Sequence, residues 1–126
     1  AALAALEALP GGSALCHGDL HPGNVLLSPR GPLVIDWDNV SAGPPAADIA
    51  RSLLLIYLPP GFPWLLIAPF VAVYRAVYRR EIQRLVPLDA QVLAAWLPVM
   101  AAARTVEGIS EQQEWLMKRV RAAFGG

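Results

Sequence analysis

Charge is scarce in this sequence, and cysteine, lysine and histidine are nearly absent. Of 126 residues only 16% are Asp, Glu, Lys or Arg, against roughly 25% in an average soluble domain. Ten acids cancel ten bases, so the totals supply no basic stripe for nucleic acid, no polybasic patch for a membrane and no acidic solvating tail. The lone cysteine, Cys16, excludes an internal disulfide and fits a reducing, cytoplasmic setting. Lysine occurs once, as Lys118, and histidine twice, as His17 and His21. The opening AALAALEALP has no basic segment and reaches Glu7 early, so it is not expected to be a secretory signal peptide. It also lacks an initiator methionine. Read as a helix, it brings Leu3, Leu6 and Leu9 near one face, so the chain is expected to begin inside an element, as a fragment would.

What the sequence has in excess is apolar surface, 56% of its residues. A chain this short buries only about two-thirds of the surface its unfolded form exposes, so a membrane, a partner or a further part of the protein is needed to cover the rest. The stretch from Leu53 to Tyr74 carries no charge and is long enough to span a bilayer. Pro59, Pro60, Gly61, Pro63 and Pro69 interrupt it and remove backbone donors that lipid could not replace. It reads as two buried segments joined by a Pro-rich turn, with no membrane span.

The balanced total hides an asymmetry. Residues 1–50 hold five acids and one base, a net of −4, and residues 51–126 hold nine bases and five acids, a net of +4. Four of the early acids fall between Asp19 and Asp48, where Pro and Gly are dense. That pattern suggests a site built on loops. The spacing predicts a first helix ending near Pro10 and an apolar run Ala14–Cys16 entering a loop at His17–Asn24. Two short strands, Val25–Leu27 and Leu33–Ile35, flank a five-residue hairpin loop, Ser28–Pro32. Four helices should follow. The first runs from about Ala46 to Tyr57. The second runs from the Pro69 region to Val86, with Tyr74, Val77, Tyr78, Ile82 and Leu85 inward. The third covers Asp89 to about Glu107 and is expected to kink at Pro98. The last is capped by Ser110 with Gln113, with Leu116, Val120 and Phe124 as its apolar stripe. The fold class is α+β, mostly α-helical.

The chemistry concentrates in Cys16-His17-Gly18-Asp19-Leu20-His21-Pro22-Gly23-Asn24-Val25-Leu26-Leu27, taken together with Val34-Ile35-Asp36-Trp37-Asp38. Pro22-Gly23 can turn the loop so that Asp19 and Asn24 share one small volume. Counting register across the expected hairpin pairs Val25 with Ile35 and sets Asn24 opposite Asp36. An amide carbonyl and a carboxylate at adjacent strand ends are hard oxygen donors of the kind Mg²⁺ prefers. Such a set suits phosphoryl transfer, where the protein's work is positioning and charge neutralisation.

The pattern resembles the kinase catalytic loop H-R-D-L-x-x-x-N, with Gly18 in place of the arginine, followed by an acid equivalent to that of D-F-G. More closely, HGDLHPGNVLL, then VIDWD, then AADIA resembles the aminoglycoside phosphotransferase and choline kinase family. The resemblance implies the C-terminal lobe of a protein-kinase-like fold: a catalytic loop and short β-hairpin followed by about four helices. It implies that Asp19 orients or deprotonates an acceptor hydroxyl, and that Asn24 and Asp36 hold Mg²⁺ on the phosphates of ATP. It also implies that His17 supports the catalytic loop and that Asp48 hydrogen-bonds the loop backbone from the start of a helix. His21 and Asp38 are further supporting residues, Asp38 as an added acid near the metal or as a loop acceptor.

Each of these residues alone would more often be a turn former than a catalyst; the three motifs in order reverse that balance. His17, Asp19 and His21 also form H-x-D-x-H, which could ligate a transition metal in a hydrolase, though two histidines are few for such a site. Cys16 is expected to be buried rather than nucleophilic. Trp64, Trp96 and Trp115 are expected in the core rather than around an organic substrate.

A kinase of this type needs a phosphate-covering loop and an upstream lysine, and neither precedes His17. The expectation is therefore a single C-terminal lobe over residues 1–126, with its N-terminal nucleotide-binding lobe missing. The isolated fragment is expected to be inactive, and its exposed apolar surface would meet that lobe or an oligomer partner. The expected partners are ATP and a small-molecule hydroxyl acceptor of the aminoglycoside, choline, sugar or homoserine type. No nucleic acid is expected. The helices after Tyr57 would form the acceptor pocket, with Glu107, Glu111 and Glu114 as an acidic wall for a polycation. A non-catalytic kinase-like binding module is the rival reading.

Overall fold

The computed structural model describes residues 1–56 and 64–125. The Pro-rich turn expected at 57–63 and the side chain of Trp64 lie outside the described residues. The chain orders as α1 (Ala2–Glu7), β1 (Ala14–Cys16), β2 (Val25–Ser28), β3 (Gly31–Val34), β4 (Ser41–Gly43), α2 (Pro45–Leu55), α3 (Trp64–Leu85), α4 (Ala90–Arg104) and α5 (Ser110–Phe124). This is a mostly helical α+β arrangement.

Helix α2 is the axis of the core. Pro45 occupies its first turn, where the missing N–H costs nothing. Ala46, Ile49, Ala50, Leu53 and Leu54 recur at helical spacing and are all buried. They meet Leu93, Trp96 and Val99 of α4, while Leu54, Ala101 and Leu116 tie in α5. Full burial of a leucine such as Leu53 contributes about 1.5–3 kcal/mol. Helix α4 begins at an N-cap, Asp89, whose Oδ1 accepts from the Gln91 N–H at 2.7 Å. It continues through Pro98 as one element. A 3₁₀ turn, Thr105–Glu107, then closes at Gly108 with φ 69°.

Four expectations are corrected. First, among the described residues the strands number four, in two antiparallel pairs, β1 with β4 and β2 with β3; Ala14 faces Gly43 and Cys16 faces Ser41. Second, the β2–β3 register differs by one residue: Val25 faces Val34 and Ser28 faces Gly31, leaving only Pro29-Arg30 as the loop. The Ser28 hydroxyl donates to the Gly31 carbonyl at 2.7 Å and accepts from the Arg30 N–H at 3.2 Å, and Gly31 adopts φ 108°. These contacts close a tighter turn than the Pro-rich sequence implied.

Third, the Ser110–Gln113 capping box does not form. Ser110 is already helical after the N-cap Ile109, and Gln113 Nε2 donates instead to the Thr105 carbonyl at 3.2 Å. Fourth, α3 starts before Pro69, and only Tyr78 and Ile82 of its expected inward face pack on the core. Tyr74, Val77 and Leu85 are exposed, because the apolar residues of α3 spread over more of its circumference than α2 and α4 can cover. Helix α1 behaves alike: Ala5 and the following Leu9 pack on the core, while Leu3 and Leu6 face solvent.

Trp96 is buried and Trp115 packs at the core edge. Cys16 is buried, and burial, followed by the Asp48 charge, pushes its thiol pKa up. Among the described residues, no helix is long and apolar enough to cross a membrane.

Candidate functional site

The loop between β1 and β2 is held from below by α2. Asp48, in the first turn of α2, points its carboxylate at the loop, where Oδ2 accepts from the His17 N–H at 2.9 Å and Oδ1 from the Gly18 N–H at 2.8 Å. One side chain thus satisfies two successive backbone donors. Gly18 adopts φ 79°, and a Cβ there would lie 2.5 Å from the Asn39 carbonyl oxygen. No larger residue fits without moving the backbone, which accounts for glycine where the kinase pattern has arginine.

His17 is 4% exposed, and both of its ring nitrogens are engaged. Nδ1 accepts from the Asp19 N–H at 3.2 Å, which leaves Nε2 protonated and donating to the Ile35 carbonyl at 2.9 Å. The tautomer follows from the network. Trp37 covers the ring at a centroid distance of 4.6 Å and donates its indole N–H to the Val34 carbonyl at 3.1 Å. With no lone pair left, His17 cannot ligate a metal, and the H-x-D-x-H hydrolase reading loses its first ligand. Among the described residues, no three His, Cys, Asp or Glu side chains gather into a metal-binding group.

The loop then turns through the 3₁₀ segment Pro22–Asn24, with the Gly23 N–H donating to His21 Nδ1 at 3.1 Å. That turn buries Asn24 and aims its amide back at Asp19. Asn24 Nδ2 donates to the Asp19 carbonyl at 2.9 Å and to Asp19 Oδ2 at 3.3 Å. Both partners are acceptors, so the amide nitrogen must face them and the Asn24 carbonyl oxygen is directed elsewhere. His21 Nε2 lies 3.7 Å from Asp19 Oδ2.

The changed register sets Asn24 opposite Ile35, whose N–H donates to the Asn24 carbonyl at 3.0 Å. The expectation that Asn24 faces Asp36 directly is therefore corrected: Asp36 lies one residue beyond the paired position. It is exposed and adopts φ 62°, the left-handed region, at a cost of about 1–3 kcal/mol for a residue with a side chain. Asp38 is exposed. The Asn24 amide oxygen and the Asp36 carboxylate are hard donors on either side of one strand end, a chemistry that fits Mg²⁺.

Arg51 is the site residue that sequence reasoning missed. Its Nε donates to the Gly18 carbonyl, Nη2 lies 3.8 Å from Asp19 Oδ1, and Nη1 donates to Glu107 Oε1 at 2.5 Å. Behind it Arg104, 1% exposed, contacts Glu107 Oε2 at 3.6 Å and donates to Gln112 Oε1 at 2.7 Å. Burial lowers the Arg104 pKa, with Glu107 opposing that shift. The signal was available: Arg51 lies three residues after Asp48, so the two share a helix face. The acidic wall expected from Glu107, Glu111 and Glu114 is not a free one, since two arginines occupy the Glu107 carboxylate.

Comparison with known proteins adds an independent line. A family model described as the phosphotransferase enzyme family matches residues 1–104. A viomycin phosphotransferase from Streptomyces vinaceus is 52% identical over 54 residues, covering 38% of this chain and 19% of that protein. The match thus spans about a fifth of that relative's length. No solved structure matches.

Proposed function

We infer, from a chain that belongs to the phosphotransferase enzyme family, that its protein is a small-molecule kinase moving the γ-phosphoryl of ATP to an acceptor hydroxyl. The observation that carries this reading is the carboxylate of Asp19, held on a loop whose own backbone is clamped by Asp48. In the proposed reaction Asp19 accepts the hydroxyl proton as the acceptor oxygen forms its bond to the γ-phosphorus. The bond from that phosphorus to the bridging oxygen breaks, and ADP leaves with the electron pair. Oδ2 is tied to Asn24, so Oδ1 is the oxygen we assign to the incoming hydroxyl.

Asn24, through its amide oxygen, and Asp36 are the residues we assign to Mg²⁺, which when bound would neutralise charge on the phosphates. His17, locked between the Asp19 N–H and the Ile35 carbonyl, fixes the spacing between the loop and the strand that leads to Asp36. His21 shapes the Pro22–Asn24 turn, and Asp38 remains assigned as a neighbouring acid.

We further read residues 1–126 as the C-terminal lobe of a kinase-like fold. The phosphate-covering loop and phosphate-binding lysine would come from a lobe outside these residues, since the one lysine here lies on α5. The test uses the full-length protein with Mg-ATP and a panel of amino alcohols, sugars, homoserine, aminoglycosides and viomycin, with transfer followed by mass spectrometry. One acceptor should gain a phosphoryl group, and Asp19→Ala should abolish the gain. A wild-type protein that binds ATP yet phosphorylates nothing in the panel would favour the non-catalytic binding module.

A further inference from the structure

Asp19 is held unevenly. Its Oδ2 accepts from Asn24 and faces His21, whereas the nearest cation to Oδ1 is the Arg51 guanidinium, at 3.8 Å. That guanidinium is itself fixed at two other corners, by the Gly18 carbonyl on the loop and by the Glu107 carboxylate after α4. A planar fork anchored at two edges leaves its third edge one orientation. Glu107 in turn is backed by Arg104, which reaches Gln112 on α5. A continuous polar chain therefore runs from α5 through α4 and α2 to the oxygen assigned to the acceptor hydroxyl. The Arg51 side chain is only 18% exposed, so water screens the contact less than at an open surface.

We propose that Arg51 is a positioning residue for phosphoryl transfer: it holds Asp19 Oδ1 in line for the acceptor hydroxyl, and Glu107 sets its orientation. The proposal rests on the kinase reading above and assigns Arg51 a part in the chemical step rather than in binding either substrate. A lysine at 51 would keep the charge but could not satisfy the Gly18 carbonyl, Asp19 and Glu107 in one plane.

The experiment compares full-length wild type, Arg51→Met, Arg51→Lys, Arg51→Ala and Glu107→Gln with the acceptor identified by the panel. Arg51→Met should lower kcat by about 10²-fold, the scale of a catalytic group misplaced by roughly an ångström, with KM for ATP and acceptor within about threefold of wild type. Arg51→Lys should recover part of the rate, and millimolar methylguanidinium should restore rate to Arg51→Ala but leave wild type unchanged. Glu107→Gln, which keeps an acceptor oxygen for Nη1, should lose less than Arg51→Met.

Wild-type kcat retained by Arg51→Met would overturn the proposal while leaving the kinase reading intact. So would a rate that falls only in step with the folded fraction and is rescued by neither lysine nor methylguanidinium. Failure of wild type to phosphorylate any acceptor would instead overturn the kinase reading and, with it, this one.

Discussion

Replacing Asp48 tests whether one carboxylate organises the loop. In the structure Asp48 accepts from two consecutive backbone N–H groups, His17 at 2.9 Å and Gly18 at 2.8 Å, and it lies in the first turn of α2, where a negative charge is favoured. A hydrogen bond to a charged acceptor contributes about 1.5–3 kcal/mol, and an orphaned buried donor costs a similar amount. The favourable placement at the helix N-terminus adds about 0.3–1 kcal/mol. Asp48 is half-buried and Gly18 retains some access to water, which lets solvent replace part of the loss. Asp48→Ala should therefore lower stability by about 3–5 kcal/mol. Asp48→Asn keeps one acceptor oxygen but turns an amide donor toward the other N–H, and should cost about 2–3 kcal/mol. Urea unfolding followed by circular dichroism measures both. Amide exchange at Gly18 should accelerate in Asp48→Asn even where the fold persists. A loss below about 0.5 kcal/mol for Asp48→Ala, with exchange at His17 and Gly18 unchanged, would refute the reasoning, because surface substitutions without such a role fall in that range.

Gly18→Ala should cost about 2–4 kcal/mol by the same unfolding assay, because it combines a left-handed backbone with a Cβ driven against the Asn39 carbonyl. Arg104 and Glu107 should respond asymmetrically: Arg104→Met replaces a buried cation with a side chain of similar length and should stay within about 1 kcal/mol of wild type, whereas Glu107→Ala strips Arg104 of its carboxylate and should cost about 2–4 kcal/mol. Cys16, buried and with its thiol pKa raised, should resist iodoacetamide at pH 8 until the protein is unfolded. The unfolded chain releases that proton first, so stability present below the thiol's ordinary value of 9.0 should fall as pH rises above it, a trend that Tyr78, also raised by burial, continues at higher pH. Urea midpoints measured below and above pH 9.0 check the sign, and a midpoint that rises with pH would contradict it.

Much of the site could be read from the sequence because its spacing is local. Asp19 and Asn24 are five residues apart with Pro22-Gly23 between them, and Pro and Gly restrict the chain so strongly that the turn follows from residue type. The core face of α2 was equally legible, since Ala46, Ile49, Ala50, Leu53 and Leu54 obey one helical period. Hairpin register was less so. Two apolar runs around a Pro-rich loop admit neighbouring registers, and the hydrogen bonds of Ser28 with Arg30 and Gly31, which residue type alone did not reveal, select between them.

The sequence by itself determined that this is a mostly helical α+β chain with a loop-borne set of Asp19, Asn24 and Asp36, because turn chemistry and helical periodicity act over a few residues. Only the tertiary structure decided where the loop's unpaired backbone groups go and which charges meet. Asp48 and Arg51 reach the loop from roughly thirty residues away, and Glu107 reaches Arg51 from 56 residues away. Contacts at such separations depend on how α2 and α4 pack, and their strength depends on burial. The zero net charge that made the sequence look electrostatically bland thus belongs to a protein in which Asp19, Arg51, Glu107 and Arg104 meet in one connected set of charges beside the loop.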